Sequence, residues 1–142
     1  MSKNEQEALR WFLQGRRDGK TARKNADNED YEWACFLYQQ AAEKLLKAFL
    51  FLEGERAVLT HSTSEIAKRC KTYEGKFADI SEACEELDIL YIPTRYPNGI
   101  PDGLPYEFFK KRHADTAELA YTRILDLIQP YFKTLESTHE NA

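Results

Sequence analysis

The stretch from Tyr31 to Glu53 constrains this chain more than any other. Tyr31, Ala34, Cys35, Tyr38, Ala41, Ala42, Leu45, Ala48, Phe49 and Leu52 recur at steps of three and four, the spacing that gathers side chains on one face of a helix. A second stripe of Trp33, Phe36, Leu37, Gln40, Lys44, Lys47 and Phe51 runs down another face. A helix apolar on two faces is either central in a bundle or placed at a subunit contact. Asn28 and Asp30 suit its N-cap, and Gly54 stands where a left-handed residue would end it.

The remaining elements follow from the same period. Ala8, Leu9, Phe12 and Leu13 open a first helix that runs through a basic stretch to about Lys24. Gly15 and Gly19 lie inside it at about 1 kcal/mol each against alanine, so its C-terminal half is expected to be loose. Ser62 and Glu65 have capping-box spacing and predict a short helix over 63–71. Phe77, Ile80, Cys84, Leu87 and Tyr91 predict a fourth helix ended by Pro93, and the next segment holds four prolines and two glycines in IPTRYPNGIPDGLP, which forbids regular structure. Ala114, Ala117, Tyr121, Ile124, Leu125, Ile128, Phe132 and Leu135 give a last helix, with Pro130 as a bend and a frayed tail beyond about 135. No segment alternates as a strand. The expected fold is an all-α antiparallel up-and-down bundle of four long helices and one short one, a single domain over residues 1–142.

Composition excludes several classes. With 42% hydrophobic and 31% charged residues in 142, the chain is neither disordered nor collagenous. It lacks the 18 to 20 consecutive apolar residues of a membrane span and the apolar core of a signal peptide, so a cytoplasmic location is expected. Cys35, Cys70 and Cys84 are an odd set without metal-ligand spacing and read as reduced thiols. Residues 1–24 hold seven basic and three acidic residues, yet the whole chain carries −4. That balance disfavours strong duplex binding and leaves room for a local anion contact.

Generic catalytic motifs fail on spacing. Gly15-Arg16-Arg17-Asp18-Gly19-Lys20-Thr21 has three residues between its glycines where a P-loop has four, and a helix precedes it instead of a strand. His61, His113 and His139 are scattered, so no metal and no cofactor is expected. Two features remain. Gln39-Gln40-Ala41-Ala42-Glu43-Lys44-Leu45-Leu46-Lys47-Ala48 sets polar residues inside an apolar helix, and Asp88-Ile89-Leu90-Tyr91-Ile92-Pro93-Thr94-Arg95-Tyr96-Pro97 breaks a helix into a proline-fixed loop carrying two Tyr and one Arg. Their plain readings are a helix contact seam and a packed loop whose Arg95 pairs with an acid such as Asp88 or Glu107.

At these residues the sequence resembles the HEPN family over about Glu7 to Phe132. The markers are Tyr31-x-x-Ala34, the Gln39 to Ala48 signature, Gly54, His61-Ser62, and Tyr91-Ile92-Pro93-Thr94-Arg95-Tyr96-Pro97. The resemblance implies a four- or five-helix bundle, frequent homodimers, and partnership with a minimal nucleotidyltransferase in toxin–antitoxin systems. Many members are metal-independent ribonucleases with an Arg and a His separated by four to six intervening residues. Here Arg95 matches the Arg, but the next His is His113, outside that window, and the Arg56 to His61 spacing falls between helices and reads as coincidence. No catalytic residue is therefore assigned. The resemblance points to a non-catalytic protein that binds a nucleotide-like anion, an RNA or a nucleotidyltransferase partner through Arg95, with Tyr91 or Tyr96 stacking and Lys44 and Lys47 completing a basic pocket. The alternative is a ribonuclease with displaced residues, such as Arg95 with His113.

Overall fold

Ser2 and Glu5 start the first helix. The Ser2 hydroxyl accepts from the Glu5 amide at 3.1 Å and the Glu5 carboxylate accepts from the Ser2 amide at 2.9 Å, a reciprocal capping box that begins α1 (Lys3–Asp27) well before the apolar stripe at Ala8. The computed structural model describes residues 1–141. After α1 come α2 (Tyr31–Leu52), α3 (Thr63–Lys71), a 3₁₀ segment (Gly75–Ile80), α4 (Ser81–Asp88), a second 3₁₀ turn (Pro97–Gly99), the single-turn α5 (Pro105–Phe108) and α6 (Lys111–Glu140). Among the described residues there is no strand, so the bundle is all-α as its periodicity predicts.

α2 is the central helix. Fourteen of its 22 residues are buried, and it packs against α1, α3, α4 and α6. The second stripe is partly covered within the chain: Phe51 is buried against Trp11 at a ring separation of 5.3 Å, and Phe36 and Leu37 are half-buried. Trp33 alone of that apolar set is substantially exposed, at 48%. Gly54 ends the helix with φ +94°, and the Glu55 and Gly54 amides return to the Leu50 and Phe51 carbonyls, satisfying two otherwise orphaned acceptors. Asn28 caps the end of α1 instead of opening α2, and Asp30 occupies the N-cap without a side-chain hydrogen bond to the helix.

The two glycines of α1 are contact points, not weaknesses. A Cβ on Gly15 would lie 3.0 Å from the Ala41 carbonyl and 3.1 Å from the Leu45 and Lys44 side chains, and one on Gly19 would overlap the Tyr121 ring. Missing side chains therefore let α2 and α6 approach the α1 backbone, which outweighs the intrinsic cost of glycine in a helix. The basic half of α1 is correspondingly fastened. Arg16 pairs with Glu136, Arg23 reaches Glu118 and Asp27 at 3.1 Å, and Asp18 pairs with Lys44 of α2. The Arg16 partner lies just past Leu135 in a helix that runs to Glu140.

The fourth apolar stripe is split. Phe77 and Ile80 enter the core from the 3₁₀ segment, and Cys84 and Leu87 from a two-turn α4, so this element is shorter than a continuous helix over 77–91. Beyond it the chain turns back through Leu90 and Tyr91 amides bonded to the Leu87 and Asp88 carbonyls, and the Thr94 hydroxyl donates to the Leu90 carbonyl at 2.6 Å. The proline-rich loop then folds onto itself, with Gly99 placed where a Cβ would be 2.7 Å from the Pro93 Cα.

Candidate functional site

Three polar residues of α2 are sunk into the bundle at one-turn intervals: Gln39 at 0% exposure, Glu43 at 5% and Lys47 at 5%. Burying such groups is unfavourable unless each finds a partner. They find one another and one histidine. Gln39 Nε2 donates to the His61 carbonyl at 3.0 Å, Lys47 Nζ donates to Glu43 Oε2 at 3.0 Å, and Glu43 Oε1 lies 3.2 Å from His61 Nδ1. The Gln40 amide group completes the row by donating to Gln39 Oε1 at 2.8 Å.

The chain that follows His61 is fixed by Asp88 at the end of α4. Its carboxylate accepts from the Ser62 hydroxyl at 2.8 Å, the Thr63 amide and hydroxyl at 2.7 Å each, and the Ser64 amide at 3.0 Å. It sits at the α3 N-terminus, where a negative charge is favoured. Burial pushes the Asp88 carboxyl up, but the bonds from the Thr63 hydroxyl, the Ser64 and Thr63 amides and the Ser62 hydroxyl outweigh it and hold the group below the usual aspartate value.

Tyr91 and Arg95 come next along the same surface. The His61 ring stacks on Tyr91 at 5.2 Å with planes 16° apart. The Arg95 guanidinium lies 4.6 Å from the same Tyr91 ring, 4.4 Å from Phe36 and 5.2 Å from Tyr96. Its Nε and Nη2 donate to the Tyr91 carbonyl at 3.0 and 2.7 Å. Among the described residues no carboxylate lies within 4.0 Å of it, neither Glu107 nor Asp88 of the two expected structural partners; Asp88 is committed to α3.

The other candidates are dispersed. Lys44 faces α1, paired with Asp18 beside a cleft of about 330 Å³ lined by Glu7, Arg10, Trp11 and Gln14. Lys47 is internal, its ammonium 5.8 Å from the Trp11 ring. His113 is outside the Arg95 cluster: its Nδ1 accepts from the Lys110 amide at 2.9 Å at the start of α6, and its ring stacks on Phe108. Its pKa is lowered by burial, then by Arg112 and Lys110. Burial pushes the Cys35 and Cys84 thiols up to about 12 and raises Cys70 as well, so none is a thiolate nucleophile at neutral pH. Among the described residues no three His, Cys, Asp or Glu side chains gather as a metal site.

A family model described as HEPN domain matches residues 8–130. The chain belongs to the HEPN domain family. Two solved structures agree: TT1696 from Thermus thermophilus, 32% identical with a TM-score of 0.82, and ST0689, described as an archaeal HEPN homologue, 35% identical with a TM-score of 0.72. Each alignment covers 87% of this chain and 96% of the other. No curated protein matches the chain.

In this HEPN domain the signature on α2 serves the loop between α2 and α3 as much as the helix seam. Sequence reasoning passed over His61 and Glu43 as site residues, although both stand within quoted markers. The missing information was that Glu43 and His61, 18 residues apart, meet across a helix end.

Proposed function

We propose that this HEPN protein binds a nucleotide-like anion at Arg95, without catalysing a reaction of its own, and that it works in the cytoplasm as a homodimer with a minimal nucleotidyltransferase as partner in a toxin–antitoxin pair. One observation carries the reading: Arg95 stands on three aromatic rings with no carboxylate among the described residues to neutralise it. A guanidinium fork is matched to phosphate, and Tyr91, Tyr96 and Phe36 supply faces beside it for a base. Lys44 and Lys47, already paired with Asp18 and Glu43, contribute by fixing α2 and not as ligand contacts. The ribonuclease alternative through Arg95 and His113 has less support, since His113 is engaged at the start of α6. Among the described residues no helix is long and apolar enough to cross a membrane.

Arg95→Ala is expected to weaken ATP or GTP binding, measured by calorimetry, by about 10- to 100-fold, the worth of one hydrogen bond to a charged group. The melting temperature should fall little, because the packing loss is at the surface. A sharp drop in melting temperature, with binding reduced only in proportion to unfolding, would make Arg95 structural and overturn the site.

For the dimer, support comes from apolar side chains left in water: Trp33 on α2, and Ile89, Ile92, Tyr96, Leu104, Tyr106 and Phe108 along the segment after α4. Exposed apolar residues concentrated in this way are characteristic of interaction surfaces. Light scattering at micromolar concentration should give twice the 16.6 kDa chain mass, and a monomer alone would count against it.

A further inference from the structure

We infer that His61 is a second ligand contact at the Arg95 site, a hydrogen-bond acceptor that reads a hydroxyl of a ribonucleotide while Arg95 holds its phosphate. This rests on the anion-binding reading of Arg95 above and adds to it the sugar of the ligand.

The argument starts from how much of the fold is devoted to one exposed side chain. The His61 side chain is 57% exposed, so it fills no core. Yet Gln39 holds its carbonyl, Glu43 holds its ring, Lys47 holds Glu43, and Asp88 accepts four hydrogen bonds from the three residues that follow it. Buried polar groups fully satisfied in this way fix a unique arrangement. Here the arrangement they fix is the direction of an imidazole. The Tyr91 ring completes the hold from its stacked position, and that ring is the one Arg95 also stands on.

The orientation decides the chemistry. A carboxylate only accepts hydrogen bonds, so the ring nitrogen facing Glu43, Nδ1, carries the hydrogen. In the neutral ring Nε2 then presents a lone pair, and it has no protein partner among the described residues. Arg95 can only donate. A site with the remaining guanidinium donors and a bare acceptor both packed within about 5 Å of one aromatic ring suits a ligand that carries phosphate oxygens and a hydroxyl, and a ribonucleotide has both. A deoxyribonucleotide lacks the 2′-hydroxyl, and inorganic phosphate lacks the sugar.

The test uses the full chain and calorimetry with ATP, 2′-deoxy-ATP, 3′-deoxy-ATP and inorganic phosphate. The wild-type protein should prefer ATP over at least one deoxy analogue by about tenfold, the worth of one partly exposed hydrogen bond. His61→Phe keeps the stack on Tyr91 and removes Nε2. It should bind ATP and the deoxy analogues equally, with only a modest fall in melting temperature, because Glu43 loses the His61 ring but keeps Lys47. Imidazole nitrogen chemical shifts of the free protein should report the tautomer with hydrogen on Nδ1. Equal binding of ATP and both deoxy analogues by the wild type, a preference that persists in His61→Phe, or the opposite tautomer would overturn the inference while Arg95→Ala still decides the anion site. Absence of any binding by the wild type would overturn the anion-site reading and this inference with it.

Discussion

Lys47→Met is expected to lower the melting temperature by roughly 10 °C. The substitution keeps the alkyl stem and leaves the Glu43 carboxylate buried with only His61 beside it, and breaking a buried ion pair from one side costs about 3 to 5 kcal/mol. For a chain of this length that converts to a shift of this order. Both side chains are only 6% exposed, so water cannot make up the loss. The double variant Lys47→Met with Glu43→Leu should recover most of the stability, because an apolar pair of similar volume avoids the desolvation of two charges. It would also release the His61 ring, which separates the stability of the ladder from its positioning role. Circular dichroism melts of the single and double variants check this, and a single variant melting within about 2 °C of wild type would show that the pair is not a structural requirement.

Asp88→Ala should be nearly as damaging, by about 2 to 3 kcal/mol after allowance for its only partial burial. Four donors from Ser62, Thr63 and Ser64 lose their acceptor at once, and α3 loses the negative charge at its start. The direction with pH follows from the lowered Asp88 pKa. A carboxyl held below its unfolded value contributes stability that is complete above the ordinary aspartate range and is lost as the pH falls through the folded value. The melting temperatures of wild type and Asp88→Asn should therefore differ most near neutrality and converge in acid. A difference independent of pH down to about pH 2 would mean that the Asp88 charge contributes nothing.

The helices were legible because their causes are local. The step of three and four along Tyr31 to Leu52, the Ser62 cap and the left-handed Gly54 each act within a turn or two of themselves. Arg95 and Tyr91 were legible as candidates for a related reason: prolines on either side announce a fixed loop, and the resemblance named its residues. What the same residues pack against was not. The lysines show the difference most clearly. Lys44 and Lys47, three residues apart on α2, look like a shared basic surface, but one turns to Asp18 on α1 and the other inward to Glu43.

Sequence alone determined that this chain forms an all-α bundle around a two-faced helix, with a proline-fixed Arg loop after the fourth element, since periodicity, capping and proline geometry need no distant partner. Only the tertiary structure decided that Gly15 and Gly19 admit neighbouring helices, that the second stripe of α2 is partly covered within the chain, and that His61 stands with Arg95 on Tyr91. Those outcomes depend on contacts between residues far apart in the chain, such as Asp88 with Thr63 at a separation of 25. A missing Cβ or a buried carboxylate has a meaning only when the atoms across from it are known.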